Sequence, residues 1–251
     1  VRVAVFGATS AIAEQCARLW AARGARLVLV GRHAARLQAT AADLALRGAA
    51  QAETLVADFD RLEALPDVVD QALATLGGGF DIALVAHGTL PDQAACERAL
   101  DATLAALVTN GSSAVGLLHA LALAAEHQLD GGGPAPALAV ISSVAGDRGR
   151  QSNTTYGAAK ALVSAYASGL GQRLAKRGIA VVLIKPGFVD TPMTAAFDKR
   201  GPLWASAERV ARAIVAAIDA RRPLVYVPGF WWAIMTIIRA IPERLFRRLS
   251  L

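Results

Sequence analysis

Short apolar runs that stop at a glycine or a polar residue alternate with longer stretches of helical periodicity throughout this chain of 251 residues. Val1 to Phe6 is apolar almost throughout and ends at Gly7, the pattern of a strand buried on both faces. Gly7-Ala8-Thr9-Ser10-Ala11-Ile12-Ala13 then runs into a helical pattern from Glu14 to Trp20. The rhythm repeats: a strand over 25–30 ends at Gly31-Arg32, an Ala-rich helix covers 33–47, and a strand over 53–57 ends at Asp58. A helix over 61–76 closes at Gly77-Gly78-Gly79. A fourth strand over 81–87 ends at Gly88, and a long helical stretch from about Asp92 carries Asn110 near its middle. Gly131-Gly132-Gly133-Pro134 breaks the chain before a fifth strand over 137–141, which delivers Ser142 and Ser143. A polar loop, 146–153, leads to a helix bearing Tyr156, a sixth strand ends at Pro186-Gly187, and a helix over 208–220 precedes a seventh strand over 224–227. Strands and helices in alternation predict the α/β class, a doubly wound parallel sheet of about seven strands with helices on both faces. No linker or repeat divides the chain, so one domain, 1–228, is expected, followed by an apolar C-terminal extension, 229–251.

Composition changes this picture little. Hydrophobic residues make up 55% and charged ones 18%, and the mean hydropathy is +0.41. Without an uninterrupted run of ~18 apolar residues, no bilayer-spanning helix is predicted. The start at Val1 shows no signal-peptide pattern. The net charge of +6 arises from scattered basic residues without interleaved aromatics, which speaks against nucleic acid as a partner. Cys16 and Cys96 lack metal-ligand spacing and are expected as free thiols in a reducing, cytoplasmic compartment, with no metal. The C-terminal extension is different. Phe230-Trp231-Trp232-Ala233-Ile234-Met235-Thr236-Ile237-Ile238 is apolar nearly all round, and Arg239, Arg244, Arg247 and Arg248 follow among Leu245, Phe246 and Leu249. Too short to span, it suits a segment lying in the headgroup region on the inner face of a membrane, with Trp231, Trp232 and Ile234 buried there. It equally suits a helix covering a substrate cleft or a second subunit.

The candidate chemistry centres on Tyr156 and Lys160, which share one face of a helix at i, i+4 spacing. A phenol of pKa ~10 is a poor acid near neutrality, and a neighbouring ammonium lowers that value, making a usable general acid or base. Gly157, Ala158 and Ala159 between them would let a flat ligand lie close. The turn from Gly7 into a helix is a ready site for a phosphate, with Ala11 where backbone approaches a pyrophosphate and Ala13 where helix packs on strand. At the end of the second strand Gly31 leaves no carboxylate for the hydroxyls of NAD, whereas Arg32 offers a guanidinium to a 2′-phosphate, which favours NADP over NAD. A solvated Arg32 is the alternative. Asp58 either accepts from an adenine amino group or caps the next helix. Asn110 in mid-helix marks either a kink or a helix junction. Gly7, Arg32, Asp58, Gly88, Ser143 and Gly187 all fall at carboxyl ends of strands, where an open α/β sheet binds its ligands.

Together these residues resemble the short-chain dehydrogenase/reductase family over nearly the whole chain. The resemblance rests on Ser143, Tyr156 and Lys160 with a thirteen-residue step from Ser to Tyr, and on Pro186-Gly187-Phe188-Val189-Asp190-Thr191 after the sixth strand. It implies a Rossmann-type fold and an NADPH-dependent ketone reductase in which Tyr156 is the proton donor. Ser143 then bonds the substrate oxygen, Lys160 lowers the Tyr156 pKa and holds the nicotinamide ribose, and Asn110 completes a proton relay through a water. It also implies cofactor contacts at Gly7, Thr9, Ser10, Ala11 and Ile12, at Arg32, Asp58, His87 and Gly88, and at Pro186, Gly187, Val189 and Thr191. A homo-oligomer is expected. Two departures stand out: Ala11 and Ala13 replace glycines of the family's loop, and Val85-Ala86-His87-Gly88 replaces its Asn-Asn-Ala-Gly. His87 then lies near the cofactor in a structural role. The first loop, the segment His87-Gly88-Thr89-Leu90-Pro91-Asp92-Gln93 and the aromatic-basic tail are similar to polyprenylphosphoryl-2-keto-pentose reductases, which implies a sugar ketone carried on a lipid phosphate. Another hydrophobic ketone, of steroid or acyl type, and a non-catalytic NADPH-binding partner at the membrane are the competing readings.

Overall fold

The protein is described by a computed structural model covering residues 1–199 and 201–249. The last two residues of the predicted 229–251 segment lie outside the described residues. Seven parallel strands form one sheet: β1 (Arg2–Phe6), β2 (Arg26–Gly31), β3 (Gln51–Val56), β4 (Ile82–Val85), β5 (Ala137–Ile141), β6 (Ala180–Pro186) and β9 (Leu224–Val227). β7 (Phe188–Asp190) and β8 (Trp204–Ser206) make a separate parallel pair. The sheet order is β3-β2-β1-β4-β5-β6-β9, so the chain reverses its direction of winding between β1 and β4. At that point a crevice opens beyond the strand ends.

Successive residues of a strand face opposite sides, and here both sides are apolar, as a sheet covered twice requires. Ala4, Phe6, Val28 and Val30 pack under α3 (Leu65–Thr75), α6 (Ser113–Asp130) and α7 (Thr154–Ala175). Their neighbours Val3, Val5, Leu27 and Leu29 pack under α1 (Ala11–Ala21), α2 (Ala34–Leu46) and α8 (Ala207–Asp219). Val210, Ile214 and Ile218, at four-residue spacing on α8, are all buried. Each such side chain contributes roughly 1.5–3 kcal/mol. Register sets the functional edge: Phe6 pairs with Val30 and Val85, Ile141 with Ile184, and Pro186 with Val227. Gly7, Gly31, Ala86, Ser142 and Gly187 therefore leave the sheet along one rim.

Several sequence expectations need correction. The fourth strand ends at Val85 rather than at 87, because the amide of Ala86 makes its bond to the Phe6 carbonyl (2.8 Å) and the chain then turns away. The long helix from Asp92 is not continuous. Ala99 is extended (φ −140°, ψ 120°) and separates α4 (Gln93–Arg98) from α5 (Leu100–Leu107), and a π-helical turn, Val108–Ser112, joins α5 to α6. The stretch Leu100–Asp130 is by length and composition apolar enough to cross a bilayer, although no uninterrupted apolar run shows it. Its inward face, with Leu117, Leu118 and Leu121 fully buried against the sheet, makes it a core helix of the α/β layer.

The C-terminal extension folds back onto the body. In α9 (Trp231–Ala240) Trp231 and Met235 are buried against Val144 and Tyr226, so Trp231 is not free to enter a membrane. The guanidinium of Arg148 donates to the carbonyls of Ile238 and Ile241 (2.6 Å each), satisfying acceptors that a helix end leaves open. It also meets Glu243 at 3.1 Å and lies 3.7 Å over the Phe246 ring of α10 (Glu243–Phe246). Trp232, Ile237, Leu245 and Leu249 remain exposed.

Candidate active site

A cavity of about 810 Å³ lies over the rim of the sheet and is lined by residues that follow β1 to β6. Its first wall is the turn at Gly7 (φ +86°), where an added Cβ would meet the backbone of His87 at 2.4 Å. Thr9, Ser10, Ala11 and Ile12 continue that wall. Ser10 is the N-cap of α1 but its side chain makes no capping bond, so the first-turn amides are left for a ligand, and an anionic diphosphate fits there. Ala13, fully buried, packs the helix on the sheet without needing a glycine. Arg32 and Asp58 close this end. The Arg32 guanidinium, half exposed, is 3.9 Å from Asp60, and Asp58 accepts from the Asp60 amide at 3.2 Å, stabilising the turn after β3. Arg36 donates to the Thr9 carbonyl at 2.7 Å and so buttresses the loop. These residues suit a dinucleotide.

The catalytic constellation sits at the other end. α7 presents Tyr156 and Lys160 one turn apart, and the Tyr156 hydroxyl hydrogen-bonds Ser143. Ser143 is held by its own chain: its Oγ accepts from the Ala145 amide at 3.1 Å at the start of a 3₁₀ turn, Val144–Asp147. Beneath it Ser142, which the sequence did not single out, bonds the Lys160 carbonyl (2.9 Å) and the Ser164 hydroxyl (2.8 Å) and so locks β5 to α7. The Lys160 ammonium lies 5.8 Å from the Tyr156 ring centroid and donates to the Ile141 carbonyl at 3.3 Å. The expectation that it lowers the Tyr156 pKa does not hold in this arrangement. Burial pushes Tyr156 up to about 12, opposed only by the Ser143 bond, and burial brings Lys160 itself down to about 8. Nor do the small residues of this helix face the cavity. Gly157 packs under the Ala145 carbonyl, and Ala159 is buried against Gly111 of the π-helical turn.

Asn110 alone among the predicted site residues lies behind the cavity wall rather than on it. It is fully buried at the middle of the π-helical turn that joins α5 to α6. Its Oδ1 accepts from the Thr89 amide (2.8 Å) and its Nδ2 donates to the Ala106 carbonyl (3.0 Å). Gly88, on the wall in front of it, leaves room that a Cβ would take, since that atom would lie 2.8 Å from the Asn110 Oδ1 and 3.5 Å from the Lys160 Nζ. Pro186, Gly187, Val189 and Thr191 line the far side, with Thr191 opening a 3₁₀ turn at Pro192–Thr194. Trp231 packs so closely on Gly187 that a Cβ there would overlap its ring at 1.9 Å. Sequence reasoning missed the wall made by Met193, Phe197, Leu203 and Trp204. Those residues follow no helical or strand period, and only the pairing of β7 with β8 brings them over the cleft. Phe188 stacks on Trp204 (5.2 Å) and meets Trp231 edge-on (5.0 Å), so the aromatics run from the cleft to the tail.

His87 also lines the cavity, its ring 4.8 Å from that of Phe59. Because the Ser113 hydroxyl donates to the Thr109 carbonyl (2.9 Å), the His87 Nε2–H donates to Ser113 (2.7 Å), leaving Nδ1 as a buried acceptor without a partner among the described residues. Burial, with the charges of Lys160 and Arg32, brings its pKa down to about 3 from 6.5. The unfolded chain therefore binds a proton below pH 6.5 that the native state refuses, and stability falls as pH falls toward 3. Unfolding free energies from denaturant titrations between about pH 7.5 and 5 are expected to drop by up to ~1.4 kcal/mol per pH unit below the unfolded pKa, and His87→Gln should flatten that slope. Equal slopes in the two proteins would show that the ring takes up protons in the folded state.

Comparison with known proteins agrees with this geometry. The family model of the short chain dehydrogenases matches residues 2–201. An uncharacterized oxidoreductase of Streptomyces coelicolor is 38% identical over 247 residues, 98% of this chain and 94% of its own. One from Mycobacterium tuberculosis is 36% identical over the same length, covering 98% and 96%. Among solved structures, a short-chain type dehydrogenase/reductase from Mycobacterium marinum superposes with a TM-score of 0.80 at 22% identity, covering 96% of both chains. A variant of actinorhodin polyketide ketoreductase with NADPH gives 0.78 at 23% identity, covering 91% and 96%.

Proposed function

Because the chain belongs to the short-chain dehydrogenase/reductase family and is an NAD(P)-dependent oxidoreductase, we propose that it reduces a ketone on a sugar carried by a lipid phosphate, with NADPH as reductant. The observation that carries this reading is the Ser143–Tyr156–Lys160 constellation at the end of a cleft whose outer wall is apolar and continues into an aromatic-basic tail. When bound, the dinucleotide would supply the hydride. Tyr156 would give its proton to the alkoxide that develops, the Ser143 hydroxyl would donate to the same oxygen, and Lys160, on the wall of the same cavity, would hold the nicotinamide ribose. Asn110 holds the loop after β4 in place through the Thr89 amide. The test is NADPH consumption with a panel of ketones that includes polyprenyl-phosphate keto-sugars, steroid ketones and acyl ketones. A rate with the lipid-linked sugar no higher than with the others would remove the substrate assignment and leave the reaction class.

Arg32 is the group proposed to select NADPH, exchanging its long pairing with Asp60 for a 2′-phosphate. Arg32→Ala is expected to weaken NADPH by ~1.5–3 kcal/mol and NADH far less, as read from cofactor titrations. Equal losses would show that the guanidinium does not meet the phosphate.

The tail is proposed as a surface for anionic lipid on the cytoplasmic face of a membrane. Four arginines stand against one glutamate in it, and Trp232, Ile237 and Leu245 are exposed beside them. Truncation at Pro228 would unseat Trp231 and Met235, so a better test replaces the exposed residues, as in Trp232→Ser with Ile237→Ser and Leu245→Ser. Co-sedimentation with anionic vesicles should fall severalfold in that variant, and high salt should weaken binding of the parent through the arginines, each worth about 1 kcal/mol at such a surface. A parent protein that stays in the supernatant at low salt would leave the tail as a cleft lid or subunit contact. Association of copies is proposed in addition, supported by the exposure of Leu104 and Leu162 on α5 and α7.

A further inference from the structure

The segment between Ser143 and Tyr156 carries two polar side chains that the proton chemistry does not use. Arg150 lines the cleft, half-buried, with its Nε shielded from solvent and without a hydrogen-bond partner. Among the described residues no carboxylate forms an ion pair with it. The acid whose charge reaches it, Asp147, is engaged by Lys185 and by the Tyr226 hydroxyl at 2.7 Å. Asn153 occupies the N-cap position of α7 but makes no capping bond. Its Oδ1, which lies against Gly157, is also buried and has no partner among the described residues, and the residue too lines the cleft. Buried donors and acceptors are rarely left unpaired, and a matched pair of them in a cleft wall is a place for a ligand's polar groups. The two residues are tied together one turn ahead of Tyr156: the Asn153 amide and the Thr154 hydroxyl both donate to the Arg150 carbonyl, at 3.3 and 3.2 Å. They stand on the Ser143–Tyr156 side, across the cleft from Gly7 and Arg32. The lining that Leu90, Met193, Phe197 and Leu203 contribute to the same cleft is apolar.

The geometry points to Arg150 and Asn153 as a subsite for an anionic oxygen group, a phosphate ester or a carboxylate, carried by the ketone substrate near its carbonyl. The planar guanidinium matches two oxygens of such a group, and the Asn153 Oδ1 accepts from a hydroxyl beside it. This inference rests on the ketone-reductase reading and sharpens it, since it assigns the charge of the substrate to a named residue.

The experiment compares kcat/KM, with NADPH saturating, for a neutral methyl ketone, its carboxylate analogue and its phosphate-monoester analogue, in the parent protein, Arg150→Gln and Arg150→Lys. The parent should favour at least one anionic member over the neutral one by tenfold or more. The member favoured tells phosphate from carboxylate. Arg150→Gln should collapse that ratio to about one, and Arg150→Lys should restore part of it. An unchanged ratio in Arg150→Gln, or no preference in the parent, overturns the subsite. So does a loss of NADPH affinity in Arg150→Gln that accounts for the whole effect, because the guanidinium would then serve the cofactor. If none of the ketones is reduced, the ketone-reductase reading is what fails. The subsite is then judged by titrating the NADPH complex with methyl phosphate and with acetate: binding present in the parent and lost in Arg150→Gln supports it, and equal binding in both overturns it.

Discussion

Tyr156→Phe is expected to lose 10²–10⁴-fold in turnover while keeping its fold and its NADPH affinity. The substitution removes only the hydroxyl. The ring stays on α7 beside Lys160, and Ser143 keeps its bond from the Ala145 amide. Burial raises the Tyr156 pKa to about 12, so the phenol holds its proton across the neutral range and is ready as a donor in the direction of ketone reduction. Alcohol oxidation asks for the phenolate instead and should rise with pH. Single-turnover NADPH oxidation, with binding followed separately by fluorescence, checks both halves. A variant within a fewfold of the parent rate would remove Tyr156 from the proton step.

Lys160→Met is expected to abolish efficient reduction and weaken NADPH, yet to make the protein more stable near neutral pH. Lys160 is almost wholly buried, and among the described residues its ammonium donates only to the Ile141 carbonyl. Its folded pKa, about 8, lies below the 10.5 of an unperturbed lysine. At pH 7 folded and unfolded chains both carry the charge, so the burial cost is present in full, on the order of 3 kcal/mol by the linkage of pKa to stability. As pH rises from about 8 to 10.5 the native state sheds the proton first, and the parent gains stability over that window. Methionine has similar length and no charge. Denaturation of Lys160→Met should therefore show a higher midpoint than the parent at pH 7 and a smaller difference near pH 10.5. A lower midpoint at pH 7 would mean that the ammonium is compensated by contacts stronger than the one bond to Ile141. The charge is held at a cost to stability where the reaction uses it, as functional sites commonly do.

Much of the fold was legible because a doubly wound sheet writes itself into local pattern. Strands covered on both faces appear as short apolar runs, and each must end at a polar or glycine residue where the crevice opens. Val1–Phe6 with Gly7, 25–30 with Gly31-Arg32, and 137–141 with Ser142-Ser143 were found this way, and the structure places Gly7, Arg32 and Ser143 on one cavity. Where the pattern erred, the cause was geometric. Alanine-rich sequence around Ala99 has helical propensity on both sides, and nothing local marks the residue that turns extended. The π-helical turn at Asn110 had one local sign, an asparagine in an apolar helix.

By itself the sequence determined the family, through motifs spread along the chain, and also the strand-end positions of the site residues and the one-turn spacing of Tyr156 and Lys160, since each of these last two depends on residues within a few positions of one another. The tertiary structure decided everything that depends on burial and on contacts between distant segments. It raised the Tyr156 pKa instead of lowering it, because dehydration outweighs an ammonium turned toward Ile141. It buried Trp231 on Gly187 and left Trp232 exposed, a difference between adjacent aromatics that only the docking of α9 creates. It left the Arg150 Nε without a partner among the described residues, because Asp147, its neighbour in sequence, is drawn away by Lys185 and Tyr226 from strands that the chain reaches only later.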